Sequence, residues 1–364
     1  MATLPVAVAA LVGIAAITFV ASPAVQDRLF AYAANAQLGR QDQMPSDADA
    51  LHVLLCGTSS PMPTRLGAKA CTMVSAGGMR FLVDIGPEAS ENLALWRIPT
   101  PKIQGVFLTH FHSDHIGELG ELNMQGWAQG RRTALSVFGG PGIEDVVGGF
   151  NMAYAADRKY RHAHHDRGRG LLPLDGAEMR ARTIEMPRRP DRRGVRTVVA
   201  YSGNGLTVTA IETNHDPVRP AYSYRFDYKG RSVLITGDTN YYPPLIRAAK
   251  GVDLLVSEAQ SYTMQDIVAA EADRLGQGTL GQVLRDTRDY HINPVDAARM
   301  ANEAGARVLL YTHAAPALVN SLLKTPWLRG VDAVRPKGVM IGEDGLVATI
   351  PADGSKIRWT KLKG

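Results

Sequence analysis

The chain contains only two cysteines, Cys56 and Cys71, which are too few for a disulfide framework or for a zinc site built from thiolates. It also lacks internal repeats and low-complexity segments. Its 45% apolar and 21% charged residues are ordinary values for a globular protein. Disordered and collagen-like classes are therefore excluded. The length of 364 residues suits one large domain or two small ones.

Charged side chains are absent before Asp27. Residues 3–25 are mostly Ala, Val, Leu and Ile, and such a stretch can cross roughly 30 Å of hydrocarbon as a helix. The basic start of a strong signal peptide is missing, which favours an uncleaved anchor over a cleaved signal. We therefore predict that residues 1–26 are a membrane anchor or signal segment and that residues 27–49 are a linker. This interpretation locates the protein in the cell envelope, anchored in the inner membrane, periplasmic or secreted.

Positive charge is concentrated in one segment. Residues 158–196 carry 12 basic and 5 acidic side chains, whereas the rest of the chain carries 28 basic and 30 acidic ones. The high pI therefore reports this segment and not a generally basic protein. Such a segment either attracts nucleic acid or another anionic substrate, or forms a solvated surface loop.

The sequence HFHSDH at residues 110–115 directly follows a predicted strand. Side chains two residues apart in an extended chain face the same side, so His110 and His112 should address one point. The chain then turns, and Asp114 and His115 can address a second point. Imidazole and carboxylate groups suit zinc, and also iron or manganese. Two such ions roughly 3.5–4 Å apart would share a water that ionises near neutral pH.

Three further metal-competent side chains each follow a predicted strand: His215, Asp238 and His313. Each of them alone is typical of an ordinary turn residue. Together with the HFHSDH sequence they complete seven ligands, five His and two Asp. Strands in both halves of the chain, with helices between them, predict an α/β protein with two sheets packed face to face.

These motifs resemble the metallo-β-lactamase superfamily over about residues 51–350. The sequences LCGTSSPMP at 55–63 and FGGPG at 138–142 look like the arylsulfatase-like and tRNase Z-like branch, and residues 153–165 look closer to its arylsulfatase-like members. The resemblance implies a four-layer αββα sandwich over residues 50–364, with two mixed sheets inside and helices outside.

The resemblance also implies roles for the seven ligands. The first metal ion would be held by His110, His112 and His215. The second would be held by Asp114, His115 and His313, and Asp238 would bridge the two. From these imidazole and carboxylate ligands we expect two divalent ions, with zinc favoured and manganese or iron as alternatives.

A second acid/base pair is implied at Glu258 and His291. In the tRNase Z-like branch, a Glu and a His at these motifs help the leaving group depart, so we group them with Asp114 as catalytic residues. The residues after His291 are Ile and Asn instead of the usual Ser and Thr, which weakens the match. The alternative is a His-Asn-Pro turn that caps a helix.

Three other residues leave two interpretations open. Asp84 either orients a metal ligand, as in the family, or forms a turn before Gly86. Tyr222 and Tyr224 either line the pocket or pack within a predicted hairpin.

The predicted function is a dinuclear hydrolase that cleaves a sulfate or phosphate ester with a metal-bridged hydroxide, as in arylsulfatase-like members. Its partners would be a small anionic ester and, through the N-terminal segment, a membrane. The alternative is a tRNase Z-like 3′-end tRNA endonuclease or phosphodiesterase, and a lactamase or lactonase ranks lower. Nucleic acid is not favoured, because tRNA is cytosolic and the chain lacks a long Gly/Pro-rich arm. A homodimer is compatible with the sequence.

Overall fold

A computed structural model describes residues 22–39 and 41–363 of the chain. Contacts divide the chain into two units, residues 1–43 and 44–364. The first unit contains helix α1 (Pro23–Leu38), which begins with a proline at its first position and has no buried residue. The segment 27–49, predicted as a linker, is therefore helical as far as Leu38, and the second unit begins before the expected residue 50.

The predicted membrane anchor falls mostly on residues 1–21, which lie outside the described residues. Within residues 22–39 and 41–363, no helix has the length and apolar character needed to cross a membrane.

The strands of the second unit form two mixed sheets, of eight and seven strands in the described part of the chain. The first sheet has the order β15-β14-β1-β2-β3-β4-β5-β6 and consists of β1 (Ala50–Gly57), β2 (Cys71–Ala76), β3 (Met79–Val83), β4 (Gly105–Phe107), β5 (Leu135–Gly139), β6 (Met179–Thr183), β14 (Leu346–Pro351) and β15 (Arg358–Lys361). The second has the order β13-β12-β11-β10-β9-β8-β7 and consists of β7 (Thr197–Gly203), β8 (Leu206–Glu212), β9 (Tyr222–Tyr228), β10 (Arg231–Ile235), β11 (Leu254–Gln260), β12 (Val308–Ala315) and β13 (Val339–Ile341).

Helices cover the outer face of each sheet. The helices of the first half of this unit are α2 (Ala89–Leu95), α3 (Ser113–Ile116), α4 (Leu119–Ala128), α5 (Ile143–Ala153) and α6 (Ala155–Arg161). The helices of the second half of this unit are α7 (Pro243–Ala248), α8 (Tyr262–Arg274), α9 (Gly278–Asp286), α10 (Pro294–Ala304), α11 (Lys324–Trp327) and α12 (Val331–Val334). Asn293 caps the start of helix α10, because its side chain accepts a hydrogen bond from the Asp296 amide at 2.9 Å.

The inner faces of the two sheets share one apolar core. The ring of Phe107 on β4 lies 5.1 Å from that of Tyr224 and 5.8 Å from that of Phe226, both on β9 of the other sheet. Separate apolar clusters hold the helices against the sheets. Leu122 of α4 packs in the cluster of the first sheet, and Ala297 of α10 packs in that of the second. The predicted αββα sandwich is therefore confirmed.

Parallel pairing brings several strand ends to one edge of the sandwich. In the second sheet, β10, β11 and β12 run parallel and adjacent, so their carboxyl ends lie side by side. In the first sheet, β4 is parallel to β3 and β5. A disulfide between Cys56 and Cys71 joins the end of β1 to the start of β2, with 4.9 Å between the Cα atoms. The polar residues that follow these strands converge on this edge.

Candidate metal centre

The HFHSDH segment has the shape that its sequence predicts. After β4 the chain has no regular structure as far as His112, whose backbone is extended with φ and ψ of −63° and 148°. It then turns into the short helix α3, which carries Asp114 and His115. The two halves of the segment therefore present their side chains in different directions.

The seven residues predicted as metal ligands form two adjacent groups. Within each group, one candidate ligand atom per residue lies within 4.8 Å of the others. The first group is His110, His112, His215 and Asp238, and the second is Asp114, His115 and His313. His112 is partly exposed, whereas the other six side chains are buried.

Asp238 lies between the two groups. Its Oδ2 atom is 3.8 Å from His110 Nε2 in the first group and 3.4 Å from His115 Nε2 in the second. Its Oδ1 atom is 3.7 Å from His313 Nδ1. The carboxylate is thus within reach of an ion held by either group.

Divalent metal ions fit these side chains. Four buried atoms that face the centre have no hydrogen-bond partner among the described residues: His115 Nε2, His215 Nε2, Asp238 Oδ1 and His313 Nδ1. The opposite ring nitrogens are held in place, since His115 Nδ1 donates to Asp84 at 2.8 Å and His215 Nδ1 donates to the Tyr290 carbonyl at 2.9 Å. Fixing one imidazole nitrogen and leaving the other free is typical of a metal-binding histidine.

The ionisation states of His110, His215 and Asp114 suit metal binding. Burial alone would lower the pKa of His115 and of His313, but the charge of Asp238 raises both, so these two rings must release a proton when an ion binds. Burial lowers the pKa of His215 to about 4 and that of His110 well below its usual value, so both rings are neutral at physiological pH. Burial alone would raise the pKa of Asp114, but the hydrogen bond with His313 and the charge of His115 lower it to about 2. Neutral imidazoles and ionised carboxylates are the forms that bind divalent ions.

Asp84 and Thr109 hold histidines of both groups. Asp84 has a left-handed backbone (φ 61°), and its carboxylate accepts hydrogen bonds from the Thr109 amide (2.8 Å), the Thr109 hydroxyl (2.9 Å) and His115 Nδ1. The Thr109 oxygen is in turn 3.0 Å from His110 Nδ1. Asp84 therefore orients a ligand, as the family resemblance implied. Sequence reasoning missed Thr109, whose signal was its position directly before His110.

The turn that presents Asp238 requires a glycine. Gly237 has a φ of +59°, and a Cβ atom at this position would lie 2.7 Å from the Thr109 side chain. Because L-residues avoid this conformation and no space is left, the β10 turn can approach the β4 turn this closely only with glycine. The contact brings Asp238 next to the HFHSDH segment.

Glu258 and His291 form a hydrogen-bonded pair beside the metal centre. His291 Nδ1 donates to Glu258 Oε1 at 3.1 Å and lies 3.9 Å from Asp238 Oδ2. Burial alone would lower the pKa of His291, but Glu258 and Asp238 raise it to about 9. Glu258 Oε1 also accepts from the backbone amides of Thr239 and Ile292, so it holds the turn after Asp238 as well.

A cleft of about 680 Å³ opens on the His215 side of the centre. Tyr222 lines this cleft, whereas the Tyr224 hydroxyl donates to the Leu108 carbonyl at 2.7 Å inside the core. The cleft also reaches Met186 and Arg196, which flank a loop of exposed arginines. The basic segment therefore borders the site.

Comparison with known proteins identifies relatives of the chain. The family model described as "Beta-lactamase superfamily domain" matches residues 79–314. Ribonuclease Z of Mycobacterium bovis (strain BCG / Pasteur 1173P2) is 32% identical over 271 residues, which cover 74% of this chain and 87% of the relative. Ribonuclease Z of Mycobacterium sp. (strain KMS) is 30% identical over 296 residues, which cover 81% of this chain and 94% of the relative.

Solved structures share the fold. The metallo-beta-lactamase fold protein YhfI from Bacillus subtilis superposes with a TM-score of 0.57 at 23% identity, covering 83% of this chain and 100% of that protein. The short form of human tRNase Z superposes with a TM-score of 0.56 at 18% identity, covering 82% and 99%. The resemblance to the metallo-β-lactamase superfamily is confirmed.

The predicted location in the cell envelope is wrong. The relatives are ribonuclease Z enzymes, and in the part of the chain that the structure describes no helix could span a membrane. The apolar run that suggested export falls almost wholly outside the described residues. A membrane is accordingly withdrawn as a partner.

We predict that Asp84→Ala weakens metal binding by about 10-fold to 100-fold, because His115 and Thr109 lose the carboxylate that fixes them. Titration of the metal-free chain with Zn²⁺ measures this affinity. Asp157→Ala removes an exposed carboxylate and serves as the control. Equal affinities of the Asp84 variant and the unmodified chain would contradict the orienting role.

Proposed function

The chain belongs to the beta-lactamase superfamily of metal-dependent hydrolases that act on ester bonds, and from this premise we propose that it is a ribonuclease Z-like phosphodiesterase that cleaves tRNA precursors at their 3′ end. The observation that carries the proposal is the hydrogen-bonded Glu258–His291 pair beside Asp238, since it supplies an acid for a poor leaving group. The relatives favour this activity over the arylsulfatase-like hydrolysis of a small anionic ester.

Two metal ions fit the two groups of ligands in this proposal. His110, His112 and His215 would hold one, Asp114, His115 and His313 would hold the other, and Asp238 would contact both. Nitrogen and oxygen donors in these numbers suit zinc, with manganese and iron as alternatives. Bound divalent ions supply Lewis-acid polarisation of a phosphoryl oxygen and lower the pKa of water.

His291 is placed to protonate the leaving oxygen. Its Nδ1 is held by Glu258, so Nε2 is the atom that can face a substrate. With a pKa of about 9, the ring carries a proton at neutral pH that it can give to the departing ribose oxygen. Glu258 contributes by keeping the imidazole oriented and charged.

The basic segment supports an extended polyanionic substrate. Arg188, Arg189, Arg192 and Arg193 are exposed on a loop whose flanking residues, Met186 and Arg196, line the cleft. Phosphates of an RNA chain that enters the cleft would pass near these guanidinium groups. A small ester would need no such surface.

A comparison of substrates tests the proposal. The full chain, loaded with Zn²⁺ or Mn²⁺, should cleave a tRNA precursor to a product with a mature 3′ end. Aryl sulfates, a lactone and a β-lactam should be hydrolysed far more slowly, if at all. Asp238→Ala is the inactive control. Efficient hydrolysis of an aryl sulfate without cleavage of the precursor would contradict the proposal.

A further prediction concerns His291→Ala. A ribose oxygen leaves slowly without a proton, whereas nitrophenolate leaves readily without one, and general acid catalysis is worth about 10²–10⁴-fold. The variant should therefore lose most of that factor on the tRNA precursor and much less on bis(4-nitrophenyl) phosphate. Rates and bound metal are measured together. An equal loss on both substrates with the metal retained would exclude His291 as the acid.

Charge reversal tests the basic loop. Arg188→Glu combined with Arg189→Glu should raise KM for the tRNA precursor with little change in kcat, and added salt should diminish the difference. Lys337→Glu with Lys356→Glu is the matched control, since both lysines are exposed in loops remote from the cleft. A loss confined to kcat would mean that the loop does not recruit substrate.

A further inference from the structure

His291, the proposed acid, lies in a segment without regular secondary structure. Residues 291–293 belong to no helix or strand, and helix α10 begins only at Pro294. Neither strand pairing nor the hydrogen bonds of a helix therefore fix the backbone that carries this imidazole. Its position depends on hydrogen bonds that other elements make to the segment.

Strand β11 and the first residue of α8 supply these hydrogen bonds. Glu258 Oε1 accepts from His291 Nδ1 at 3.1 Å and from the Ile292 amide at 3.2 Å. The Gln260 amide donates to the Ile292 carbonyl at 2.8 Å. The Tyr262 hydroxyl donates to the His291 carbonyl at 2.6 Å. Tyr262 therefore holds the main chain of the acid, whereas Glu258 holds its ring.

The Tyr262 side chain is itself held in place. Its ring is half-buried, and the guanidinium of Arg288 lies 4.8 Å from the ring centroid, within the range of a cation–π contact. Arg288 donates in turn to the Asp266 carboxylate at 2.8 Å. Since Asp266 lies one turn after Tyr262 on α8, the guanidinium is anchored over the ring. The hydroxyl thus reaches the His291 carbonyl from a fixed support.

We propose that Tyr262 is a positioning residue for the acid, because its hydroxyl keeps the His291 backbone where Nε2 can reach the leaving oxygen. This inference rests on the proposed function, since it requires His291 to protonate a leaving group. Proton transfer needs the two atoms within hydrogen-bond reach, about 2.6–3.2 Å apart. A displacement of about 1 Å can cost about 100-fold in rate, so a bond that fixes the main chain of the acid affects the chemical step.

Tyr262→Phe isolates the hydroxyl. The substitution keeps the ring and its contact with Arg288, so the fold and the bound metal should be retained. A hydrogen bond between uncharged groups is worth roughly 2-fold to 10-fold in an equilibrium. We expect kcat on the tRNA precursor to fall by about this factor with KM unchanged. The rate on bis(4-nitrophenyl) phosphate should stay the same, because nitrophenolate leaves without a proton.

A double variant tests whether Tyr262 acts through His291. In the His291→Ala background, Tyr262→Phe should cause no further loss on the precursor, because the group that it positions is gone. Losses that multiply in the double variant would overturn the proposal. An unchanged kcat on the precursor in Tyr262→Phe would overturn it as well, and so would an equal loss on both substrates, which would indicate a general loosening of the site.

Tyr228→Phe is the matched control. It removes a hydroxyl that also donates to a backbone carbonyl, that of Ala48 at 2.9 Å, at the end of β9 away from the cleft. Both rates should equal those of the unmodified chain.

A dinucleoside monophosphate separates this proposal from the proposed function, because it has a ribose leaving group and no tRNA structure. If it is cleaved and the precursor is not, tRNA processing fails, and its comparison with bis(4-nitrophenyl) phosphate still decides the role of Tyr262. If the precursor is cleaved and Tyr262→Phe matches the unmodified chain on it, the positioning role fails alone.

Discussion

The carboxylate of Asp238 is buried among five imidazoles. His110, His115, His215, His291 and His313 each place a ring nitrogen 3.4–3.9 Å from one of its oxygens. An isolated charge at this depth would be costly, so it persists only where positive charge surrounds it. Protonated histidines or bound cations can supply that charge. Both groups of candidate ligands and the Glu258–His291 pair therefore surround one carboxylate, and the turn that carries it tolerates only glycine before it.

The sandwich fold brings these imidazole rings together. The histidines come from both sheets. They follow β4 and β8 or lie near the end of β12, and His291 precedes helix α10. Aromatic packing between Phe107 and Tyr224 fixes the distance between the sheets a few residues below the centre. Asp84 then ties the end of β3 to the HFHSDH segment, and Glu258 ties β11 to the turn after Asp238 and to His291. The site is thus held by hydrogen bonds between turns, on a base of apolar packing.

The sequence predicts structure best where a feature depends on residues that are close together in the chain. The HFHSDH spacing depends on neighbours within a few residues, and the segment turns into a short helix after His112 as expected. The buried strands were recognisable from apolar runs, and the αββα order came from the family resemblance. Thr109 was missed because its role comes from hydrogen bonds to Asp84, which is distant in sequence. The helix at Pro23–Leu38 was missed because its composition shows no amphipathic pattern, and an apolar run before it suggested export wrongly.

Substrate choice is determined by the surroundings of the metal centre and not by the centre itself. Five histidines and two aspartates can serve the hydrolysis of sulfates, phosphates or lactams alike, because polarised oxygens and ionised water attack many electrophiles. What distinguishes a phosphodiester of RNA is its poor ribose leaving group, its anionic phosphoryl oxygens and its neighbouring phosphates. The first and the last of these have counterparts here, in the His291–Glu258 pair and in the arginine loop beside the cleft. The arginines belong to a loop that carries none of the candidate metal ligands, so their charge can be altered without changing a ligand.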